Sequence, residues 1–234
     1  MNAEKYWHES DDFWETMAPK MFGERAWTSA PEYIENLVRL LDLHPGEAVL
    51  DMCCGPGRHS LELTRRGFKV TGVDRTSAYL EMARKRTAEE DLDVEYVEED
   101  MRKFCRPDSF DAATLLYTSF GYFEDQDENR QVLVNIHKSL KNGGKLVVDL
   151  MGKEILARIF RERDWFERDG VIFLEDRKVT RNWTWMENNW IMIRGAKRYE
   201  FRLTHWIYSA AEIEALLRQS GFKMVEIYGN ITGD

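Results

Sequence analysis

The chain has 234 residues, 43% of them hydrophobic, and a formal charge of −9. A length of this order buries a sizeable core without disulfide or metal staples, and the acidic balance argues against non-specific attraction to phosphate backbones, so nucleic acid is disfavoured as a partner. No stretch approaches the ~20 apolar residues of a membrane span and the opening MNAEKYWHES lacks the apolar core of a signal peptide, so no membrane contact and a cytoplasmic location are expected.

The three cysteines, Cys53, Cys54 and Cys105, suit a reducing compartment. No second Cys-x-x-Cys or neighbouring histidine pair completes a site around the vicinal two, so they read as packing residues and no metal is expected.

In chain order, residues 1–45 form a helical cap. Tyr6, Trp7, Phe13, Trp14, Met17, Met21 and Phe22 fall at mostly helical spacing, and the segment either packs on the main domain or closes over a ligand pocket. Ser29-Ala30-Pro31-Glu32 has the form of a capping box, and Ile34, Leu37, Val38, Leu40 and Leu41 trace one helical face behind it.

Residues 46–150 then alternate strand and helix. Strands are expected at Ala48–Met52, Phe68–Val73, Val94–Glu99, Phe110–Tyr117 and Lys145–Leu150, and helices at Arg58–Arg66, from Thr76 or Ser77 to about Glu90, and at Asp127–Leu140. Such alternation predicts an α/β fold: a Rossmann-like, doubly wound, mostly parallel sheet with helices on both faces and its ligand at the carboxyl ends of the strands.

Residues 151–208 are built differently. The segment is mildly basic, where residues 1–150 are acidic, and it holds five of the eight tryptophans. After a helix at Glu154–Phe160 come short alternating runs separated by the polar turns Arg168-Asp169-Gly170, Glu187-Asn188-Asn189 and Arg194-Gly195, which predict antiparallel hairpins. Residues 209–234 open with a second capping box, Ser209-Ala210-Ala211-Glu212, and supply a helix stopping at Gly221 and a final strand, Phe222–Tyr228, that completes the core.

Chemistry concentrates in VLDMCCGPGRHS, residues 49–60. Apolar residues run to Asp51, glycines follow at 55 and 57, and a helix opens at once; a helix N-terminus reached this way takes the anionic end of a ligand. A dinucleotide fingerprint would place glycine or alanine at position 60, where Ser60 stands, and would not put an acid four residues before the first glycine. A carboxylate at 51 beside free backbone N–H groups suits a ligand carrying both an amine and a carboxylate, as an amino-acid group does.

These residues resemble the class I S-adenosylmethionine-dependent methyltransferases, and CCGPGRHS with TSFGYF resembles one small bacterial and archaeal branch of them. Asp51-Met52-Cys53-Cys54-Gly55-Pro56-Gly57 is similar to the family's first motif, with Cys53 at a common glycine position. The resemblance implies that Asp74, beside Arg75, holds the two ribose hydroxyls, that Asp100 and Met101, followed by Arg102, recognise adenine, and that Tyr117-Thr118-Ser119-Phe120-Gly121-Tyr122-Phe123 passes the methyl donor toward its acceptor. Leu140-Lys141-Asn142-Gly143-Gly144 resembles the turn before the family's fifth strand. The family usually adds a seventh, antiparallel strand, for which the residues up to Asp234 leave no room; either that strand lies outside these residues or the sheet has six.

S-adenosylmethionine, leaving S-adenosylhomocysteine, is thus the expected cofactor. Arg58 and His59 either approach its carboxylate or begin a solvated helix. Tyr117, Phe120, Tyr122 and Phe123 are candidates for the acceptor wall, with core packing the alternative, and His205 is the histidine placed to act as a base, with a structural role as the alternative. The hairpins at 151–208 resemble insertions that cover the active site or form a dimer face, so a homodimer is one expectation. The expected activity is methyl transfer to a nitrogen or oxygen of a small molecule by in-line displacement. An RNA or protein acceptor, a donor-binding protein without catalysis and, further off, a dehydrogenase are the alternatives.

Overall fold

The computed structural model describes residues 6–234. Residues 1–5 of the expected cap and of the leader reading lie outside the described residues.

A short 3-10 turn, Trp7–Glu9, leads into α1 (Asp11–Met21), α2 (Glu24–Thr28) and α3 (Ala30–Leu41). Ser10 caps α1 by accepting from Phe13 N. Ser29 makes no side-chain cap bond, because α2 ends there and its backbone is already in the right-handed helical region; the first of the two expected capping boxes is absent. The apolar stripe of α3 is buried through Ile34, Leu37 and Leu41.

The core follows as β1 (Ala48–Met52), α4 (Arg58–Arg65), β2 (Lys69–Asp74), α5 (Ser77–Glu89), β3 (Val94–Glu98), β4 (Phe110–Leu115), α6 (Gln126–Ser139) and β5 (Leu140–Val148). All pairings are parallel and the strand order is β3-β2-β1-β4-β5. The central strand is covered on both faces, so Val49, Leu50, Asp51 and Met52 are all buried. Succession runs outward from β1 to β3 and then returns to β4 beside β1, which makes the β1/β4 junction the switch point where the crevice opens.

After α7 (Lys153–Ile159), the strands β6 (Arg163–Arg168), β7 (Val171–Thr180), β8 (Trp185–Arg194) and β9 (Lys197–Trp206) form a separate antiparallel meander. The expected turn Glu187-Asn188-Asn189 is instead the middle of β8, paired on both sides. The chain reverses at Arg181-Asn182-Trp183, three successive residues at positive φ. Packing of α1 onto this sheet, through Phe13 and Met17 against Val171, Phe173, Met192 and Leu203, joins cap and insertion into one roof.

Finally, α8 (Ala210–Gln219) opens with a complete capping box between Ser209 and Glu212. Phe222–Tyr228 forms no strand, against expectation, and the parallel sheet has five strands among the described residues. Only Phe222 and Val225 of that stretch pack on the core, a spacing of three that a pleat cannot present on one face, while Met224 is 86% exposed.

Candidate functional site

A cavity of about 320 Å³ lies over the carboxyl ends of β1, β2 and β4, roofed by the cap and by β8 and β9. The loop after β1 shapes its floor. Cys53, Gly55 and Gly57 all hold positive φ, at 59°, 55° and 80°. At Gly57 a Cβ would lie 2.6 Å from Tyr96 Oη and 2.9 Å from Ala83 Cβ, so only glycine lets α4 start against α5 and β3. Cys53 bears the strain of a left-handed conformation that the sequence pattern usually assigns to glycine.

Asp51 is 2% exposed; its carboxylate accepts from Ser60 Oγ at 2.6 Å and Thr114 Oγ1 at 3.0 Å. Burial lifts its pKa to about 6, against the pull of those hydroxyls and of Arg58. The Ser60 hydroxyl, one strand–helix turn away, thus orients the acid. Asp74, ending β2, accepts from Gly55 N at 2.9 Å and Thr76 N at 2.8 Å, so the second acid holds the first loop in place. Burial raises its pKa, and the two backbone bonds oppose the rise. A carboxylate offers about four acceptor sites, so two remain for a ligand.

Asp100 is gripped by Arg102, which reaches both carboxylate oxygens and extends to Glu128 Oε1 at 2.8 Å and Glu9 Oε1 at 3.0 Å. Burial would raise the Asp100 pKa, but the hydrogen bonds and charge of Arg102 outweigh it and hold the group below the usual range. Arg102 is therefore a clamp from cap to core and does not line the cavity. Arg75 does, and also donates to the carbonyls of His8 and Glu9 at 3.2 and 3.1 Å.

Arg58 and His59 do not start a solvated helix: they are 4% and 5% exposed and line the cavity. The Arg58 guanidinium lies 3.8 Å from the centroid of the Tyr117 ring and donates to Ala26 O at 2.9 Å. His59, Tyr33 and Tyr117 form a triangle of mutually contacting rings, centroids 5.3 to 5.5 Å apart. Tyr117 and Thr118 hold positive φ in succession, and Asp149 fixes that turn by accepting from Tyr117 N at 3.3 Å and, through its own carbonyl, from Thr118 N at 2.9 Å.

Of the expected site residues, Asp51, Met52, Cys53, Gly55, Asp74, Arg75, Asp100, Met101, Tyr117, Tyr122, Phe123 and His205 all line this one cavity. Gly57, Arg102 and Phe120 do not. Phe120 is fully buried behind the loop against Tyr208, ring centroids 5.7 Å apart, so it is a packing residue and not an acceptor wall. Burial pushes the His205 pKa down to about 4, leaving it neutral near pH 7.

Lining residues not expected from sequence include Tyr79, Asn188, Trp190 and Leu203. The last three lie on the roof strands, where alternation marks a buried face but not what the face covers. Four carboxylates, Asp51, Asp74, Glu99 and Asp100, meet two guanidinium groups, Arg58 and Arg75, among aromatic walls that include Trp7, Trp14 and Phe22. An acidic, aromatic enclosure suits a cationic organic ligand.

Residues 49–144 match the methyltransferase domain family. A relative from Geobacillus sp. (strain WCH70), a methyltransferase by name, is 22% identical over 97% of this chain and 93% of its own. Other curated relatives match over about half of their own length or less. Among solved structures, an S-adenosylmethionine-dependent methyltransferase from Clostridium acetobutylicum superposes with a TM-score of 0.75 at 17% identity, over 94% of this chain and 91% of that one. An amino pentose methyltransferase from Micromonospora echinaspora, solved with S-adenosylmethionine bound, gives 0.66 at 24% identity, over 94% and 92%. At such identities the structural likeness is one of fold.

Proposed function

We propose that this chain is an S-adenosylmethionine-dependent methyltransferase, as its domain match supports, and that it methylates a nitrogen or oxygen of a small molecule. One observation carries the reading: Asp51, Asp74 and Asp100, each at the end of a different strand, converge with aromatic rings on one enclosed cavity. In this reading Asp51 faces the donor's amine, Asp74 its ribose hydroxyls and the Asp100–Met101 stretch its adenine. When bound there, the donor supplies a sulfonium-activated methyl carbon open to displacement by the acceptor's lone pair.

The remaining work belongs to the chain. Aromatic faces of Trp14, Tyr122 and Phe123 favour a dispersing positive charge and keep water out. The roof fixes the acceptor's direction of approach, and positioning is the larger share of such catalysis. His205, neutral near pH 7, accepts a hydrogen bond or proton from the incoming nucleophile.

The enclosure by cap and insertion favours a small acceptor over an RNA or protein chain, and the amino pentose enzyme of the same fold is in line with an amine. Calorimetry with S-adenosylmethionine against NAD tests the donor: binding of NAD alone would sink the reading. Release of S-adenosylhomocysteine with a panel of small amines and alcohols separates an enzyme from a donor-binding protein.

A further inference from the structure

Two buried polar atoms on the roof have no hydrogen-bond partner: Asn188 Oδ1 and Trp190 Nε1. Both side chains line the cavity, with Leu203 and His205. The ladder explains the grouping. Asn188 stands opposite Leu203 and Met186 opposite His205, so Asn188 and Trp190 of β8 share a face with Leu203 and His205 of β9, and Asn188 is diagonal to His205. On that face Asn188 lies between Leu203 of β9 and Arg177 of β7 and is only 8% exposed; Arg177 is engaged by Glu175, and Asn188 Oδ1 is left without a donor. Leaving a buried acceptor or donor unpaired is costly, and a ligand that pairs both relieves the cost.

The Trp190 ring is also held in place. Lys20 Nζ lies 3.9 Å from the centre of the Trp190 indole and is itself paired with the buried Glu175, and Phe13 flanks the same ring at 5.9 Å. The indole N–H is thus presented at a fixed angle, which reduces the ordering cost of binding.

We propose that Asn188 and Trp190 are the specificity determinants of the acceptor end, selecting an amino alcohol: one N–H or O–H donates to Asn188 Oδ1 and a neighbouring oxygen accepts from Trp190 Nε1. This rests on the methyltransferase reading and adds the acceptor's chemistry to it. His205, on the same face and neutral because burial depresses its pKa, is the third polar group the acceptor meets.

The test uses the full chain saturated with S-adenosylhomocysteine and titrated calorimetrically with 2-aminoethanol, 2-amino-2-deoxyglucose and propylamine. At least one of the two amino alcohols is expected to bind about tenfold or more tighter than propylamine. Asn188→Leu, which keeps shape and removes the polar atom, and Trp190→Phe, which removes the N–H together with one ring, are each expected to reduce that preference about tenfold, the scale of one hydrogen bond in a desolvated site. For Asn188→Leu the melting temperature and S-adenosylhomocysteine affinity are expected to hold or rise, whereas a merely structural role would lower the melting temperature; Trp190→Phe, which also shrinks a packed ring, is read by loss of the preference at unchanged S-adenosylhomocysteine affinity. Equal binding of propylamine, no binding by either amino alcohol, or variants that keep the preference overturns the assignment. Failure of the wild type to bind S-adenosylhomocysteine is read separately, before any acceptor is added, and would overturn the methyltransferase reading beneath it.

Discussion

The two ends of the cavity are assembled by different means. The floor comes from short stretches at strand ends, around residues 51–58, 74–76 and 99–101, whose shape is set by turns, positive φ and bonds such as Gly55 N to Asp74. The roof comes from side chains brought together over long distances, as when Trp7 Nε1 of the cap donates to Thr204 O of β9 at 2.8 Å across 197 residues. A floor made of backbone has little freedom to vary without losing its ligand. A roof made of side chains on a sheet face can change what it recognises one residue at a time and leave the fold alone.

Removing a floor acid is the most severe way to test this division. Asp74→Ala deletes acceptors for a ligand and the anchor of the Gly55 loop together, so S-adenosylmethionine affinity is expected to fall by about 1.5 to 3 kcal/mol, tenfold or more. Calorimetry checks it, and an unchanged dissociation constant would refute the role given to Asp74.

Asp51→Asn asks whether the floor sacrifices stability for binding. The folded pKa of about 6 lies above the ordinary carboxylate value of 3.8. Below about pH 4 both folded and unfolded states are protonated and the group costs nothing. Between pH 4 and 6 the unfolded chain ionises first, so stability falls as pH rises, and above about 6 the full cost of ~3 kcal/mol is in place. Asparagine keeps partners for Ser60 and Thr114 without the charge. The variant free of ligand is therefore expected to be ~1 to 3 kcal/mol more stable than wild type at pH 7, the gap closing toward pH 4, while donor binding weakens. A variant less stable at pH 7 in denaturant melts contradicts the account.

The same division explains what could be read from residues alone. Asp51 and Asp74 were legible because each closes an apolar stretch at a strand end, and Asp100, which follows two glutamates, through its place in the ordered motifs of the resemblance. Asn188 was not, because Glu-Asn-Asn has turn composition; its place in β8 is imposed by pairing with Arg177 and Leu203, which no local window contains. Phe222–Tyr228 failed in the opposite direction: its residues favour a strand, yet only two of them reach the core. Phe120 was misplaced by one step of loop geometry, since Gly121 at φ 90° turns the chain between it and Tyr122. Local rules fail where tertiary pairing or function overrides them.

A smaller effect is expected where the two ends are tied. Arg102→Gln loosens Glu9 of the cap from Asp100 and Glu128 of the core. With Arg102 about a fifth exposed, solvent screening limits the cost to about 1 kcal/mol. Hydrogen exchange should quicken in Trp7–Met21 but not in β1, and added salt should shrink the difference between variant and wild type. Uniform loosening of both would mean that floor and roof are one cooperative unit.

The smallest change sits outside both ends. Ser209→Ala removes the hydroxyl that accepts from Glu212 N at 3.2 Å, and with it half of the capping box of α8. Such caps contribute about 0.5 to 2 kcal/mol, and this one is solvent-exposed, which places it at the lower end. The helix packs against α6 through Ile213 and Leu217, and none of its residues lines the cavity. Melting temperature should drop by a few degrees while affinities for S-adenosylmethionine and for any acceptor stay as in wild type. A loss of acceptor affinity alone would mean that Tyr208, next to the cap and packed on Phe120, transmits its position through the Gly121 turn to Tyr122, and that the roof is positioned from behind as well as from above.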